Sequence, residues 1–426
     1  MKRRKLVTVI AVTAAMGLAL GVGGVANARV KSQEVRGITD DEVLVGGLGP
    51  SYPFREFGGE TGVLARFEVE NQNGGVNGRE LTYVGWGDDQ NSADTNLAEA
   101  RRLVEQEGVA ALVPVLSPNY LSAAEYAEQQ HVPAFGWGIS RGFCETTYAF
   151  GFSGCLTPPP PVKVASNTWG SLIDEAFKSE GDADGADGKT AAVISEDNDS
   201  GRAGKVVVVA TAEAVGMEIV YDESSLPPPD PAPVTDFSPY VTELMTANDG
   251  EPPDVIFLVI SQDNLQGGFQ VALNDAGFDG IATNAVLYSP LATGLVTGGS
   301  VLTQFATPEA AADVPAVQEF LDAVEAVAPG EVINQPTIAG YVAADMFIQA
   351  LEAAGKNPTP EKIQKAAAKM TYGIDGFVGP TKYPKGFKAG TPCGQLVASD
   401  GTEWTVQVPF QCFSNIKIPS LKKIKY

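Results

Sequence analysis

The amino-acid sequence predicts an α/β protein made of two doubly wound lobes, each with a parallel sheet. Short apolar segments alternate with segments of helical periodicity from Glu42 onward, which is typical of parallel strands joined by helical crossovers. A proline run at residues 158–161 interrupts the alternation, which then resumes. We therefore expect two lobes of similar construction joined by a semi-rigid connector. Two rigidly packed domains would give the same pattern.

The first half of the chain predicts an alternating set of strands and helices. Expected strands cover residues 43–45, 81–86, 110–115 and 132–137, and expected helices cover residues 60–71, 92–107 and 120–129. Ser92 is suited to cap the second of these helices. The strands end in small or polar residues, and ligands of open α/β sheets bind beyond the carboxyl ends of strands. We expect the functional site there.

The second half repeats this pattern and then becomes mainly helical. Expected strands cover residues 190–195, 217–221, 255–260 and 281–287, and expected helices cover residues 165–178, 203–214, 239–247, 265–276, 316–327, 338–354 and 360–370. Thr359 should cap the last helix, with Pro360 at its first position. Residues 396–398 and 404–408 flank Asp400-Gly401, which predicts a hairpin.

Charge and composition exclude several classes of function. The chain has 29 Lys and Arg against 52 Asp and Glu, a net charge of −23, so nucleic acid is not an expected partner. Its single histidine, His131, excludes zinc sites that need several histidines. No nucleophile–base or paired-carboxylate arrangement is recognisable. We expect no catalytic residue, metal or cofactor, and a secreted hydrolase is the disfavoured alternative.

The first 28 residues have the pattern of a secretory signal peptide. A basic start at residues 2–5 precedes an apolar run at 6–20 and the small-residue motif Ala26-Asn27-Ala28, after which we expect cleavage. An uncleaved membrane anchor is the alternative. The protein should thus be secreted, periplasmic or associated with the cell surface.

Export places the four cysteines in an oxidising compartment, where they pair by default. Cys144 with Cys155 and Cys393 with Cys412 close the shortest loops, so we expect these two disulfides. Metal ligation is the alternative, but no C-x-x-C spacing supports it.

Several segments resemble a known family. They are ITDDEVLVG at residues 38–46, NGGVNGR at 73–79, DDQ at 88–90, IAGYVAAD at 338–345 and GFVGP at 376–380. The chain resembles bacterial extracellular solute-binding proteins of ABC importers, especially the leucine/isoleucine/valine-binding branch with the type I periplasmic-binding fold. The resemblance covers about residues 38–412.

The resemblance implies a hinge of three chain segments near residues 158–161, 304–308 and 388–393. The N-terminal lobe would combine residues 38–157 with 306–388. The C-terminal lobe would combine residues 158–305 with 389–413, and a basic tail would occupy residues 414–426. It also implies a monomer that captures a small solute by hinge closure and delivers it to the membrane permease of an ABC importer. A sensor of the same fold is the alternative.

The resemblance also implies which residues of the N-terminal lobe bind the ligand. Ser117 and Ser140 match the hydroxyls that hold a ligand carboxylate, although each could equally be a helix N-cap. Gly138 and Ile139 would offer backbone groups. Aromatic surface would come from three residues whose alternative role is in the core: Tyr52, Phe54 and Trp137.

In the C-terminal lobe the matching loops contribute Ser200, Ser261 and Tyr288. The family's acidic partner for a substrate ammonium is missing after the strand that ends near Tyr288. Asp199 and Asp263 are the candidates to replace it. The resemblance implies a branched-chain amino acid as the solute, but without that acidic partner an amide, a carboxylate or another small compound with polar and apolar parts is equally expected.

Overall fold

The computed structural model describes residues 35–159, 161–229 and 234–418. The predicted signal peptide at residues 1–28, Pro160 and residues 419–426 of the predicted tail lie outside these ranges. Within the described ranges, no helix combines the length and the apolar character that crossing a membrane requires.

The strands are numbered in chain order. They are β1 (Glu42–Gly49), β2 (Glu80–Asp88), β3 (Ala111–Val115), β4 (Ala134–Gly136), β5 (Ala149–Gly151), β6 (Val164–Ser166), β7 (Thr190–Glu196), β8 (Glu218–Leu226), β9 (Val255–Val259), β10 (Ile281–Asn284), β11 (Ser300–Thr303), β12 (Thr371–Ile374), β13 (Val378–Lys382), β14 (Cys393–Ser399), β15 (Trp404–Cys412) and β16 (Asn415–Lys417).

The helices are numbered in the same way. They are α1 (Glu60–Gln72), α2 (Ala93–Arg101), α3 (Leu121–Gln129), α4 (Gly142–Glu145), α5 (Thr168–Ser179), α6 (Asp199–Ala214), α7 (Ser238–Met245), α8 (Gln262–Gln266), α9 (Phe269–Asp275), α10 (Pro315–Val327), α11 (Gln335–Ala354) and α12 (Pro360–Ala367). Helical segments of π type cover Ser51–Gly59 and Arg102–Gln106, and 3-10 turns cover Thr293–Val296, Pro308–Ala310 and Lys385–Phe387.

The first sheet has the strand order β2-β1-β3-β4-β5, and all its pairs are parallel. Its two faces carry different helices. Leu48 and Leu112 belong to a cluster with residues of α2 and α3, whereas Val45 and Val113 belong to a cluster with residues of α1 and α11. The alternation of side chains along each strand thus buries both faces of the sheet.

The second sheet has the order β15-β14-β11-β10-β9-β7-β8. Its β7–β11 pairs are parallel, and the predicted hairpin of β14 and β15 adds an antiparallel edge. Along β7, Ala191 and Val193 pack with residues of α5 and α6, while Ala192 and Ile194 pack with residues of α7 and α9. The predicted class, two doubly wound α/β lobes, is confirmed.

The chain passes between the two sheets three times. It leaves the first sheet after β5, and after β11 it returns to the side of the first sheet, where α10 and α11 pack against α1. It crosses again between β13 and β14. Helix α11 is buried along nearly its whole length, and the ring centroids of Phe135 on β4 and Phe347 on α11 lie 5.5 Å apart.

Some predicted elements have other bounds in the structure. The helix expected at residues 165–178 begins only at Thr168, because Val164–Ser166 pairs with β16. The helix expected at 265–276 is split into α8 and α9 at Gly267 and Gly268, where Gly268 has a φ of 102°. Such a left-handed backbone ends a helix and suits glycine. The capping of α12 by Thr359 and the position of Pro360 are confirmed.

Candidate functional site

A cavity of about 610 Å³ lies where the carboxyl ends of the two sheets meet. Loops that follow β1 to β4 contribute one side, and the ends of β7, β9, β10 and β11 with the first turns of α6 and α8 contribute the other. Parts of all three chain crossings also line the cavity, together with β6 and the start of α5. This is the place where open α/β sheets bind ligands.

Most of the cavity wall is apolar. Phe54 and Trp137 line it from the first sheet's side, with their ring centroids 6.4 Å apart in an edge-to-face arrangement. Trp169 of α5 lines the same cavity, as do Leu258 of β9 and Ile260 just after it. Apolar walls of this kind favour a solute that buries hydrocarbon or an aromatic ring.

Ser140 lines the cavity, and its hydroxyl accepts hydrogen bonds within the protein while its proton stays available for donation. Its Oγ accepts hydrogen bonds from the backbone N–H groups of Tyr120 at 3.2 Å and Gly142 at 3.3 Å. A hydroxyl can also donate one proton, and no acceptor for it is found among the described residues. Ile139 lines the cavity as well. Ser140 can therefore both organise its loop and donate to a ligand.

Ser117 has a different environment from the predicted one. It is fully buried, and it is not part of the cavity lining. Its Oγ donates to the carboxylate of Asp89 at 2.5 Å and accepts from Asn96 Nδ2 and the Asn119 N–H, both at 3.1 Å. All the hydrogen-bonding capacity of this hydroxyl is used within the protein. Burial raises the pKa of Asp89, and the hydrogen bonds from Ser117 and Asn96 oppose this rise.

Three further predicted residues lie outside the cavity lining. Gly138 packs so tightly against the Gly154 carbonyl that a Cβ would come within 1.7 Å of it. Tyr288 is buried, and its hydroxyl donates to the carboxylate of Glu309 at 2.9 Å. Tyr52 is 45% exposed, and its hydroxyl donates to the Gln266 carboxamide of α8.

Ser200 and Ser261 both line the cavity at helix starts. Ser200 lies in the first turn of α6, not in the loop that we expected, because Asn198 caps this helix by accepting from the Gly201 N–H at 2.7 Å. Ser261 caps α8.

The carboxylate of Glu196 joins these two helix starts. It is buried at the end of β7 and accepts hydrogen bonds from the Ser261 N–H, Asn264 Nδ2 and Asn198 Nδ2 at 2.7–2.9 Å. We did not predict a role for Glu196. An acidic residue directly after a buried strand was the only available signal.

The two acidic candidates for a cation partner differ in their surroundings. Asp199 pairs with Arg202 of its own helix at 2.9 Å and with Arg141 from the opposite side of the cavity at 3.3 Å. Asp263 also lines the cavity, and it has no ion-pair partner in the described part of the chain. Burial raises the pKa of the Asp263 carboxyl.

Trp137 makes a hydrogen bond that the sequence did not suggest. Its indole Nε1–H donates to the side-chain oxygen of Gln304 at 2.9 Å. Gln304 follows β11 in the second chain crossing, is 5% exposed and lines the cavity. The sequence predicts residue 304 only as the start of the second chain crossing.

The two predicted disulfides are both present. Cys144 bonds to Cys155, and Cys393 bonds to Cys412. Cys155 also lines the cavity at the first crossing. Across the described ranges, no group of three or more His, Cys, Asp or Glu side chains is arranged to hold a metal ion.

Two lobes with a largely apolar cavity at the carboxyl ends of both sheets define a bilobal ligand-binding protein. A sequence model of the family described as periplasmic binding protein matches residues 49–402. The chain belongs to this family. Among curated proteins, none matches the chain.

Solved structures of similar fold agree with this. An ABC transporter solute-binding protein from R. palustris, in complex with 4-hydroxybenzoate, is 18% identical with a TM-score of 0.67, covering 87% of this chain and 97% of that chain. A possible leucine/isoleucine/valine-binding protein from Rhodopirellula baltica SH 1 is 13% identical with a TM-score of 0.67, covering 88% and 98%. A fatty acid ABC transporter substrate-binding protein from Thermomonospora curvata is 18% identical with a TM-score of 0.64, covering 88% and 94%. The type I periplasmic-binding fold is therefore confirmed.

Proposed function

We propose that the protein is the exported solute-binding component of an ABC importer, and that its solute has a predominantly apolar body. It would act as a monomer without catalysis, capture the solute between its lobes and deliver it to a membrane permease. The lobes would be residues 38–157 with 306–388 and residues 158–305 with 389–413. The largely apolar cavity at the carboxyl ends of both sheets carries this proposal.

The size and walls of the cavity limit the solute. On the order of twenty water molecules would fill 610 Å³, at ~30 Å³ each, so a solute of up to roughly twenty non-hydrogen atoms fits. Burial of apolar surface against Phe54, Trp137 and Trp169 contributes about 25 cal/mol per Å². Sugars and polyamines of the same size have less continuous apolar surface to bury, so they gain less from the hydrophobic effect at such walls. One similar structure is a complex with 4-hydroxybenzoate, and another is the substrate-binding protein of a fatty acid transporter. Both kinds of compound have an apolar body.

A thermal-shift screen tests this function. Aromatic acids, fatty acids and branched-chain amino acids should include compounds that raise the melting temperature, because a ligand at one hundred times its Kd adds about 2.7 kcal/mol to the free energy of unfolding. Sugars, polyamines and inorganic anions should not. Stabilisation by the polar compounds alone would contradict the proposal, and so would conversion of the bound compound to a product.

A matched pair of variants shows whether binding occurs in this cavity. Val286 lines the cavity and Val271 on α9 lies outside it, and both side chains are partly exposed. Val286→Asp places a carboxylate beside the apolar solute and should abolish the thermal shift, whereas Val271→Asp should leave it unchanged. Equal thermal shifts in both variants would show that the solute binds outside this cavity.

A further inference from the structure

The carboxamide of Gln304 has one fixed orientation. An indole N–H can only donate a hydrogen bond, so the bond from Trp137 assigns the facing atom of Gln304 as oxygen. Trp137 is itself held in place, since it is 1% exposed and its backbone N–H donates to the Val115 carbonyl at 3.1 Å. If the carboxamide were rotated by about 180°, its NH₂ group would face the indole N–H of Trp137, and neither donor would have an acceptor.

The other end of this carboxamide is unsatisfied. Within the described ranges, Nε2 of Gln304 has no acceptor, and it is not sealed from solvent-accessible space as Nε2 of Gln395 is. Because Gln304 lines the cavity and is nine-tenths buried, its free N–H groups face the solute space. Gln262 also lines the cavity, but no hydrogen bond from the described residues fixes its carboxamide, so it can present either end to a solute.

We propose that Gln304, oriented by Trp137, is a specificity-determining residue that requires a hydrogen-bond acceptor on the solute. This inference rests on the proposed function and narrows the solute to an apolar compound with a carboxylate or carbonyl group. A solute that covers Nε2 with hydrocarbon or an ammonium group leaves buried N–H donors unpaired, which weakens binding. An acceptor on the solute gives these donors the partner that they need once the solute has displaced solvent.

Isothermal titration calorimetry with matched acid and amine probes tests this requirement. The pairs are benzoate with benzylamine and 3-methylbutanoate with 3-methylbutylamine, because the two members of each pair share one hydrocarbon body. We expect at least one acid to bind wild type more tightly than its amine by about tenfold or more, as hydrogen bonds to a charged group predict.

Gln304→Glu provides the decisive variant. Glutamate keeps an acceptor for Trp137 and replaces the N–H donors by an anionic oxygen, so acid affinity should fall at least about tenfold. Gln262→Glu, which adds the same charge to the same cavity, should cost clearly less. If Gln304→Glu does not fold, Gln304→Met removes the donors without adding charge and should still lower acid affinity about tenfold.

The possible outcomes separate this inference from the proposed function. Binding of acid and amine with equal affinity, unchanged acid affinity in the Gln304 variants, or an equal loss in Gln262→Glu would overturn the role of Gln304 and leave an apolar solute in place. If none of the four probes and no member of the apolar screen binds wild type, the proposed function fails and this inference fails with it.

Discussion

At the scale of single residues, Ser117 and Ser140 show how one sequence pattern supports two roles. Both serines follow a strand of the first sheet, and both are almost completely buried. The Ser117 hydroxyl is fully hydrogen-bonded to Asp89, Asn96 and Asn119. The Ser140 hydroxyl only accepts hydrogen bonds from the described residues, so its proton can still be donated. Ser117 therefore holds the loops after β2 and β3 together, and of the two serines only Ser140 lines the cavity.

Replacing these serines separately tests that difference. Ser117→Ala should lower the free energy of unfolding by about 1–3 kcal/mol, because the variant leaves buried partners of the hydroxyl unsatisfied. Ser140→Ala should weaken solute binding more than it lowers stability. Urea denaturation and titration of the screened solute measure both quantities. A loss of affinity in Ser117→Ala at unchanged stability would instead place Ser117 in direct contact with the solute.

The effect of Ser117→Ala should depend on pH. Its hydrogen bond lowers the pKa of Asp89 against the rise caused by burial, so its loss raises that pKa further. A carboxyl with a higher pKa in the folded state binds its proton more tightly when folded, and stability then falls as pH rises from the unfolded pKa of about 3.9 through the folded pKa. The variant should thus lose more stability at pH 7 than at pH 4.

The sequence located the loops of the site better than its side chains. Six of the predicted binding residues line the cavity: Phe54, Trp137, Ile139, Ser140, Ser200 and Ser261. That they bind a ligand remains a prediction. The sequence could not predict the roles of Gln304 and Glu196, because these roles depend on partners that are distant in the chain. The Trp137–Gln304 bond spans 167 positions, and no local pattern encodes such a contact.

At the scale of elements, periodicity predicted most helices and strands because burial on two faces leaves a regular pattern. Periodicity did not predict the strands that are too short to show a pattern and that depend on pairing with a distant segment. Strand β6 is three residues long and exists through its pairing with β16, and β11 consists of four residues between β10 and β14. Asn284 ends β10 by accepting from the N–H groups of Val286 and Leu287, both at 3.0 Å.

Helix α11 offers a test of element packing. A Cβ on Gly340 would lie 2.1 Å from the Gly59 carbonyl oxygen, so Gly340→Ala must push α11 away from the start of α1. We expect a loss of roughly 1–3 kcal/mol in the free energy of unfolding. Gly294→Ala is the matched control, since its nearest neighbour atom would be 3.9 Å away, and it should change stability by less than about 0.5 kcal/mol. Chemical denaturation compares the two, and similar losses would contradict the close approach.

At the scale of the whole molecule, polar contacts join the two sides of the cavity. Arg141, which follows β4, pairs with Asp199 on α6 at 3.3 Å, and Tyr52 after β1 donates to Gln266 on α8. Both contacts lie outside the three chain crossings, so they can break when the lobes separate. We predict that hinge opening breaks both contacts and gives a solute access to the cavity.

Asp199 forms ion pairs with two arginines, and replacing each of them separately distinguishes an effect on lobe closure from an effect on local stability. Arg141 reaches Asp199 across the cavity, whereas Arg202 reaches it within α6. Arg141→Met should raise the solute Kd by about 1.5- to 5-fold through faster dissociation, as exposed ion pairs contribute about 0.2–1 kcal/mol. Arg202→Met should not. Small-angle X-ray scattering should show a smaller radius of gyration when wild type binds its solute, and added salt should weaken binding less in Arg141→Met than in wild type. A radius that does not change on binding, or equal effects of the two variants, would show that this ion pair does not contribute to closure.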